Sequence, residues 1–156
     1  MKKPFLLFTV VFVFVLNSLS QGLESFSSMP VTTSSSYLSR NWTGDGGITW
    51  TATDTRADQT ITGLAAGIRN SSITSGNITS GIGNLSFKYK YLFTGINASL
   101  TIRVNGTVVG TVSVPTTQTT ATTATINNIN VSGTFILAIE QTVTGQRVAI
   151  DDLSWT

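Results

Sequence analysis

The chain has 156 residues, 40% of them hydrophobic, with no histidine, no cysteine and a formal charge of +2. The missing residue types exclude a Ser-His-Asp triad, a thiol nucleophile and a zinc site built from imidazole or thiolate. Lys2 and Lys3 supply the whole charge excess. Past them basic and acidic residues balance, so the basic footprint of a nucleic-acid binder is absent and no nucleic-acid partner is expected.

The chain opens with Lys2-Lys3, an apolar run from Phe5 to Leu16 broken only by Thr9, and small residues at Ser18 and Ser20. That is the order of a secretory signal peptide, with the cut expected after Ser20. The run is too short for a bilayer, which takes about 20 residues. Residues 1–20 are therefore read as a signal peptide and 21–156 as one secreted, extracellular or cell-surface domain with no membrane span. A secreted domain without disulfides points toward a bacterial source. Asn-x-Ser/Thr triplets begin at Asn41, Asn70, Asn77, Asn84, Asn97, Asn105 and Asn130. They would be glycan acceptors in a eukaryotic secretory pathway, and chance accounts for them equally well in a chain this rich in Asn, Ser and Thr.

The rest reads as all-β, because apolar residues alternate in short runs between turn formers and never recur at helical spacing. Leu23 to Phe26 is the first expected strand, and the Ser/Thr-rich stretch from Met29 to Ser36 is a loop. Ile48 to Thr53 follows the turn Gly44-Asp45-Gly46-Gly47. Ala65 to Arg69 and Ser72 to Thr79 are weaker strands. Leu85 to Phe93 is the clearest, with Leu85, Phe87, Tyr89, Tyr91 and Phe93 on one face and Ser86, Lys88 and Lys90 on the other. Asn105-Gly106, between Leu100–Val104 and Val108–Val114, predicts a type I′ hairpin. Thr116 to Thr123 is a connection or an edge strand. Thr125 to Val131, Phe135 to Ile139 and Arg147 to Trp155 complete the set. In the last, Val148 and Ile150 share one parity and Leu153 and Trp155 the other, which predicts a bulge near Asp151-Asp152. The pattern fits an antiparallel two-sheet β-sandwich of jelly-roll type.

The chemistry available is narrow. A carboxylate pair is the one catalytic option left, and the acids are few and lie at turns and strand ends, so no catalytic residues and no enzyme are expected. A hard cation is a better use for them. Glu24 near the first strand and Asp151 and Asp152 in the last would meet if the chain ends lie side by side, which would suit a structural calcium ion. Trp50 and Trp155 alternate as core residues. Trp42, in a polar stretch, and Tyr37, in a Ser-rich loop, are the candidates for an exposed platform that stacks on sugar rings.

Glu24-Ser25-Phe26, Gly44-Asp45-Gly46-Gly47-Ile48-Thr49-Trp50, Gly67-Ile68-Arg69, the Leu85–Tyr91 strand and the ending Ile150-Asp151-Asp152-Leu153-Ser154-Trp155 together resemble exported jelly-roll domains of the Bacteroidetes type. These are similar to MAM and carbohydrate-binding-module sandwiches. The resemblance implies a non-catalytic accessory or binding module, with a polysaccharide or a neighbouring protein domain as partner. It also implies a structural cation between an acid of the first strand and the Asp of the last. The alternatives are a structural or adhesive surface domain, and the N-terminal accessory domain of a longer extracellular hydrolase such as a nuclease.

Overall fold

A computed structural model describes residues 22–156. The expected signal peptide lies outside the described residues. Among the described residues eleven strands run antiparallel: β1 (Gly22–Glu24), β2 (Leu38–Thr43), β3 (Thr49–Thr60), β4 (Leu64–Arg69), β5 (Ser72–Ser75), β6 (Leu85–Tyr91), β7 (Ala98–Val104), β8 (Thr107–Val114), β9 (Thr122–Ile126), β10 (Leu137–Gln141) and β11 (Arg147–Trp155). A short 3-10 turn, Asp45–Gly47, joins β2 to β3. Among the described residues no helix is long and apolar enough to cross a membrane.

The hydrogen-bonded order is β8-β7-β10-β5-β3-β4-β11-β6-β9, with β2 beside β3 and β1 beside β11. Two long strands tie the layers of this jelly-roll sandwich together. β3 pairs β5 through Trp50–Ala52 and β4 through Thr55–Thr60. β11 pairs β4 through Arg147–Ile150 and β1 through Leu153–Trp155. Each strand changes parity at an aspartate in left-handed backbone, Asp54 (φ 50°) and Asp152 (φ 49°). Before Asp54 the buried residues are Trp50 and Ala52; after it they are Thr55 and Ala57. Asp152 separates Val148 and Ile150 from Leu153 and Trp155 in the same way, at a register shift against β6. One extra residue re-aims the side chains so that a bent strand keeps one face in the core.

The core is one large apolar cluster crossed by a row of rings, with a small second cluster of Ala65, Leu92 and Ala149. Phe26 meets Trp42 at 5.9 Å, Trp42 meets Trp50 at 6.5 Å, Trp50 meets Trp155 at 6.4 Å and Trp155 meets Phe135 at 6.3 Å between centroids. Offset and tilted contacts of this kind suit the ring quadrupoles.

Most expected strands are present, and the Asn105-Gly106 hairpin has the two positive φ values it needs, 50° and 79°. The differences have local causes. β6 stops at Tyr91, because Phe93 adopts φ 65° and turns outward, 52% exposed, instead of joining the buried face. β9 runs over Thr122–Ile126 and not to Val131. Asn128 and Asn130, both at positive φ, end the ladder and leave Val131 a lone bridge to Ile82. β3 continues past the expected Thr53 because the Asp54 kink carries it on to β4.

Asp54→Val should lower stability by about 1–3 kcal/mol, since a β-branched residue resists the left-handed conformation. Asp54→Asn should cost much less, because Asn tolerates it. Urea unfolding midpoints check this. Equal midpoints for the two variants would show that the kink does not depend on that backbone geometry.

Candidate functional site

The first and last described strands do pair, with Glu24 opposite Leu153 in the β1–β11 ladder. The acids nonetheless go to separate places. Glu24 is fully buried. Its Oε1 accepts the Phe26 N–H at 2.9 Å and the Trp42 indole N–H at 3.1 Å, and its Oε2 accepts the Asp45 N–H at 3.0 Å. Asp45 Oδ2 accepts the Ser25 N–H at 2.7 Å, closing the turn onto the first strand. Burial pushes the Glu24 carboxyl above its usual value, against these bonds.

Asp151, also buried, accepts the Thr62 and Gly63 N–H groups on Oδ2 at 2.9 and 3.2 Å and the Asp152 N–H on Oδ1 at 2.8 Å. It thereby clamps the β3–β4 turn onto β11. Asp152 pairs with Lys88 at 2.9 Å, which holds its carboxyl below the ordinary range. Glu24, Asp151 and Asp152, expected to share a calcium ion, thus take their partners at separate places. N–H donors point at the oxygens that a cation would need, and the donors of Glu24 and Asp151 belong to different turns. Among the described residues no group of three or more metal-ligating side chains is placed to hold an ion.

Trp42, expected in an exposed platform, is placed in the core. β2 turns Arg40 and Trp42 inward. Trp42 is 7% exposed, lies nearly parallel to Trp50 at 14° and spends its N–H on Glu24. A polar neighbourhood in sequence did not keep it out of the core, because its large apolar area favours burial.

Tyr37 is half-buried and belongs to a cluster that sequence reasoning did not assemble. The Arg69 guanidinium stands 4.1 Å from its ring centroid and that of Arg56 5.5 Å. Its hydroxyl is buried beside Arg56, without a partner in hydrogen-bond geometry. Arg56 also stacks on Phe93 at 4.8 Å, with Arg147 at 5.8 Å from the same ring. Tyr37, Arg56, Phe93 and Arg147 line an open cleft of about 300 Å³. Arg56 forks onto Asp58, lowering that carboxyl to about 2, and Arg69 forks onto Asp54 at 2.8 and 3.0 Å.

The loop ahead of Tyr37 is shaped by Arg40, which is 4% exposed. Its guanidinium donates to the carbonyls of Thr55, Pro30, Thr32, Thr33 and Ser36 at 2.6 to 3.2 Å. Irregular backbone has no ladder to satisfy its carbonyls, and one buried Arg does it here. The lining residues of the cleft are far apart in the chain, on β3, β11 and two loops. The available signal was Leu92, an apolar residue at a position of the otherwise polar face, which is buried in place of Phe93.

The fold is that of carbohydrate-binding modules. A CBM36 domain of a multidomain xylanase from the hindgut metagenome of Trinervitermes trinervoides matches with a TM-score of 0.58 at 15% identity, over 88% of this chain and 97% of that one. A CBM35 module from Cellvibrio japonicus matches at 0.56 and 24% identity, over 88% and 93%. A Podospora anserina β-(1,4)-mannanase carrying a CBM35 matches at 0.54 and 14% identity, over 88% of this chain and 28% of that one. No protein-family model matches the sequence, and no curated protein matches it either.

Glu24 gives a pH signature. Its carboxyl lies above the ordinary value of 4.5, so the folded chain keeps a proton there that the unfolded chain releases. Its contribution to stability is complete below the unfolded value and is lost as pH rises through the folded one. Glu24→Gln cannot ionise and should lack that decline, read as urea midpoints from about pH 4 to 8. A variant profile parallel to the parent's would show that this ionisation is not coupled to folding.

Proposed function

We propose that the chain is a non-catalytic module that binds polysaccharide in the cleft between Tyr37, Arg56, Phe93 and Arg147, and acts by tethering. The observation that carries the reading is Phe93. It is a large aromatic, 52% exposed, held outward by its own backbone at the mouth of a cleft edged by guanidinium groups. An apolar face beside a few fixed polar groups is what a saccharide needs, since a pyranose has one apolar face and a rim of hydroxyls. The shared fold supports this, because solved modules of the same architecture are named as carbohydrate-binding and occur in a xylanase and a mannanase. The expected secretory leader fits a partner outside the cell.

The non-catalytic part rests on how the acids are used. Glycoside hydrolysis takes two carboxyl groups flanking one bond. Here Glu24, Asp45 and Asp151 accept backbone N–H groups, and Asp54, Asp58, Glu140 and Asp152 are each in an ion pair with Arg or Lys. None is left facing the cleft as a free partner of another.

Affinity electrophoresis against a panel of plant and microbial polysaccharides tests the reading. At least one polymer should retard the protein, and Phe93→Ala should weaken that retardation by roughly three- to tenfold. The effect should survive EDTA, because no lining residue of the cleft is a carboxylate. A panel without any retardation would sink the proposal.

A further inference from the structure

We infer that the cleft selects acidic polysaccharides, with an oxyanion of the sugar, either a uronate carboxylate or a sulfate ester, held by Arg147. This rests on the reading of the cleft as a polysaccharide site. The argument begins with strand register. Arg147 and Arg69 are directly opposed across the β11–β4 pair. Like charges at that position repel, so a pair of arginines there needs compensation. Arg69 has it, in the two-pronged bond to Asp54. Arg56 has it, in Asp58. Arg147 enters no ion pair among the described residues. The charged groups gathered at the cleft are thus Arg56, Arg69 and Arg147 against Asp54 and Asp58, which leaves an uncompensated positive charge on Arg147.

The rings point the same way. Stacking on a neutral sugar asks for a bare aromatic face. Tyr37 has Arg69 over its ring, and Phe93 has Arg56, with Arg147 close by. A guanidinium stacked on a ring keeps its N–H groups at the edge of its plane, where they remain available to an acceptor. The aromatics therefore hold cations in place, and the exposed part of Phe93 covers the adjoining apolar face of the sugar. The Arg147 fork matches the two oxygens of a carboxylate, and a sulfate ester presents the same pair of acceptors.

The test is affinity electrophoresis of the protein at about 0.15 M salt, where loose surface attraction is screened. The probes are polygalacturonate, its fully methyl-esterified form, neutral xylan and dextran sulfate. The expected result is retardation by polygalacturonate that methyl esterification abolishes and that Arg147→Ala weakens about tenfold. Arg147→Gln keeps part of the stem and should lose as much, which separates lost charge from lost packing. Arg103→Ala removes a positive charge paired with Glu140 on β10, away from the cleft, and should change nothing. Retardation by dextran sulfate alone, sensitive to Arg147, would assign the oxyanion to a sulfate ester and still support the inference. Equal retardation by the methyl ester or by xylan, indifferent to Arg147, would overturn it and leave the polysaccharide reading intact. Equal losses in the Arg103 and Arg147 variants would also overturn it, as non-specific charge binding. Failure of every polymer would overturn both.

Discussion

Everything in this sandwich turns on the kink in β3. A twelve-residue strand that pairs β5 with one half and β4 with the other has to bend between layers. A regular strand that bends loses its inside-outside pattern. Asp54 resolves this by taking one left-handed step, which shifts parity and keeps Trp50 and Ala52 in the same core as Thr55 and Ala57. The same residue binds Arg69 and so fixes the guanidinium that stands over Tyr37. The bend that joins the layers is therefore also the first element of the cleft. β11 repeats the device at Asp152, with Lys88 in place of Arg69.

A second principle runs through the loops. Buried ionisable side chains here satisfy backbone more than they satisfy each other. Arg40 collects carbonyls, whereas Glu24 and Asp151 collect N–H groups, and none of the three has an ion-pair partner among the described residues. A lone charge is costly to bury, and several charge-assisted hydrogen bonds offset that cost. The return is order in segments that no ladder holds: the 30–36 loop, the 44–47 turn and the β3–β4 turn. Gly44 shows how tight the fit is, since a Cβ there would lie 1.7 Å from Glu24 Oε2.

Order of that kind matters for recognition. A site on strand ends and loops discriminates only if its groups are held before the ligand arrives. Tyr37 is fixed from behind by the Arg40-bound loop and from the front by Arg69. Phe93 is fixed by its backbone and by Arg56. Arg147 is the cleft guanidinium that enters no ion pair among the described residues.

The sequence by itself determined what depends on local alternation and turn chemistry. It yielded the all-β class, the jelly-roll sandwich, the Asn105-Gly106 hairpin and the parity flip at Asp151-Asp152. Side-chain period and left-handed turn residues act over a few positions, so they can be read in place. Tertiary structure alone decided which polar and aromatic residues serve the core and which stay exposed. Trp42 sits among polar neighbours and is buried, whereas Phe93 ends the most regular apolar run in the chain and is exposed. Glu24 and Asp151 have the composition of a metal site, and the backbone N–H groups that occupy them come from turns up to 89 residues away. Contacts over such separations leave no periodic trace in the chain, because they are set by how the two layers close on each other.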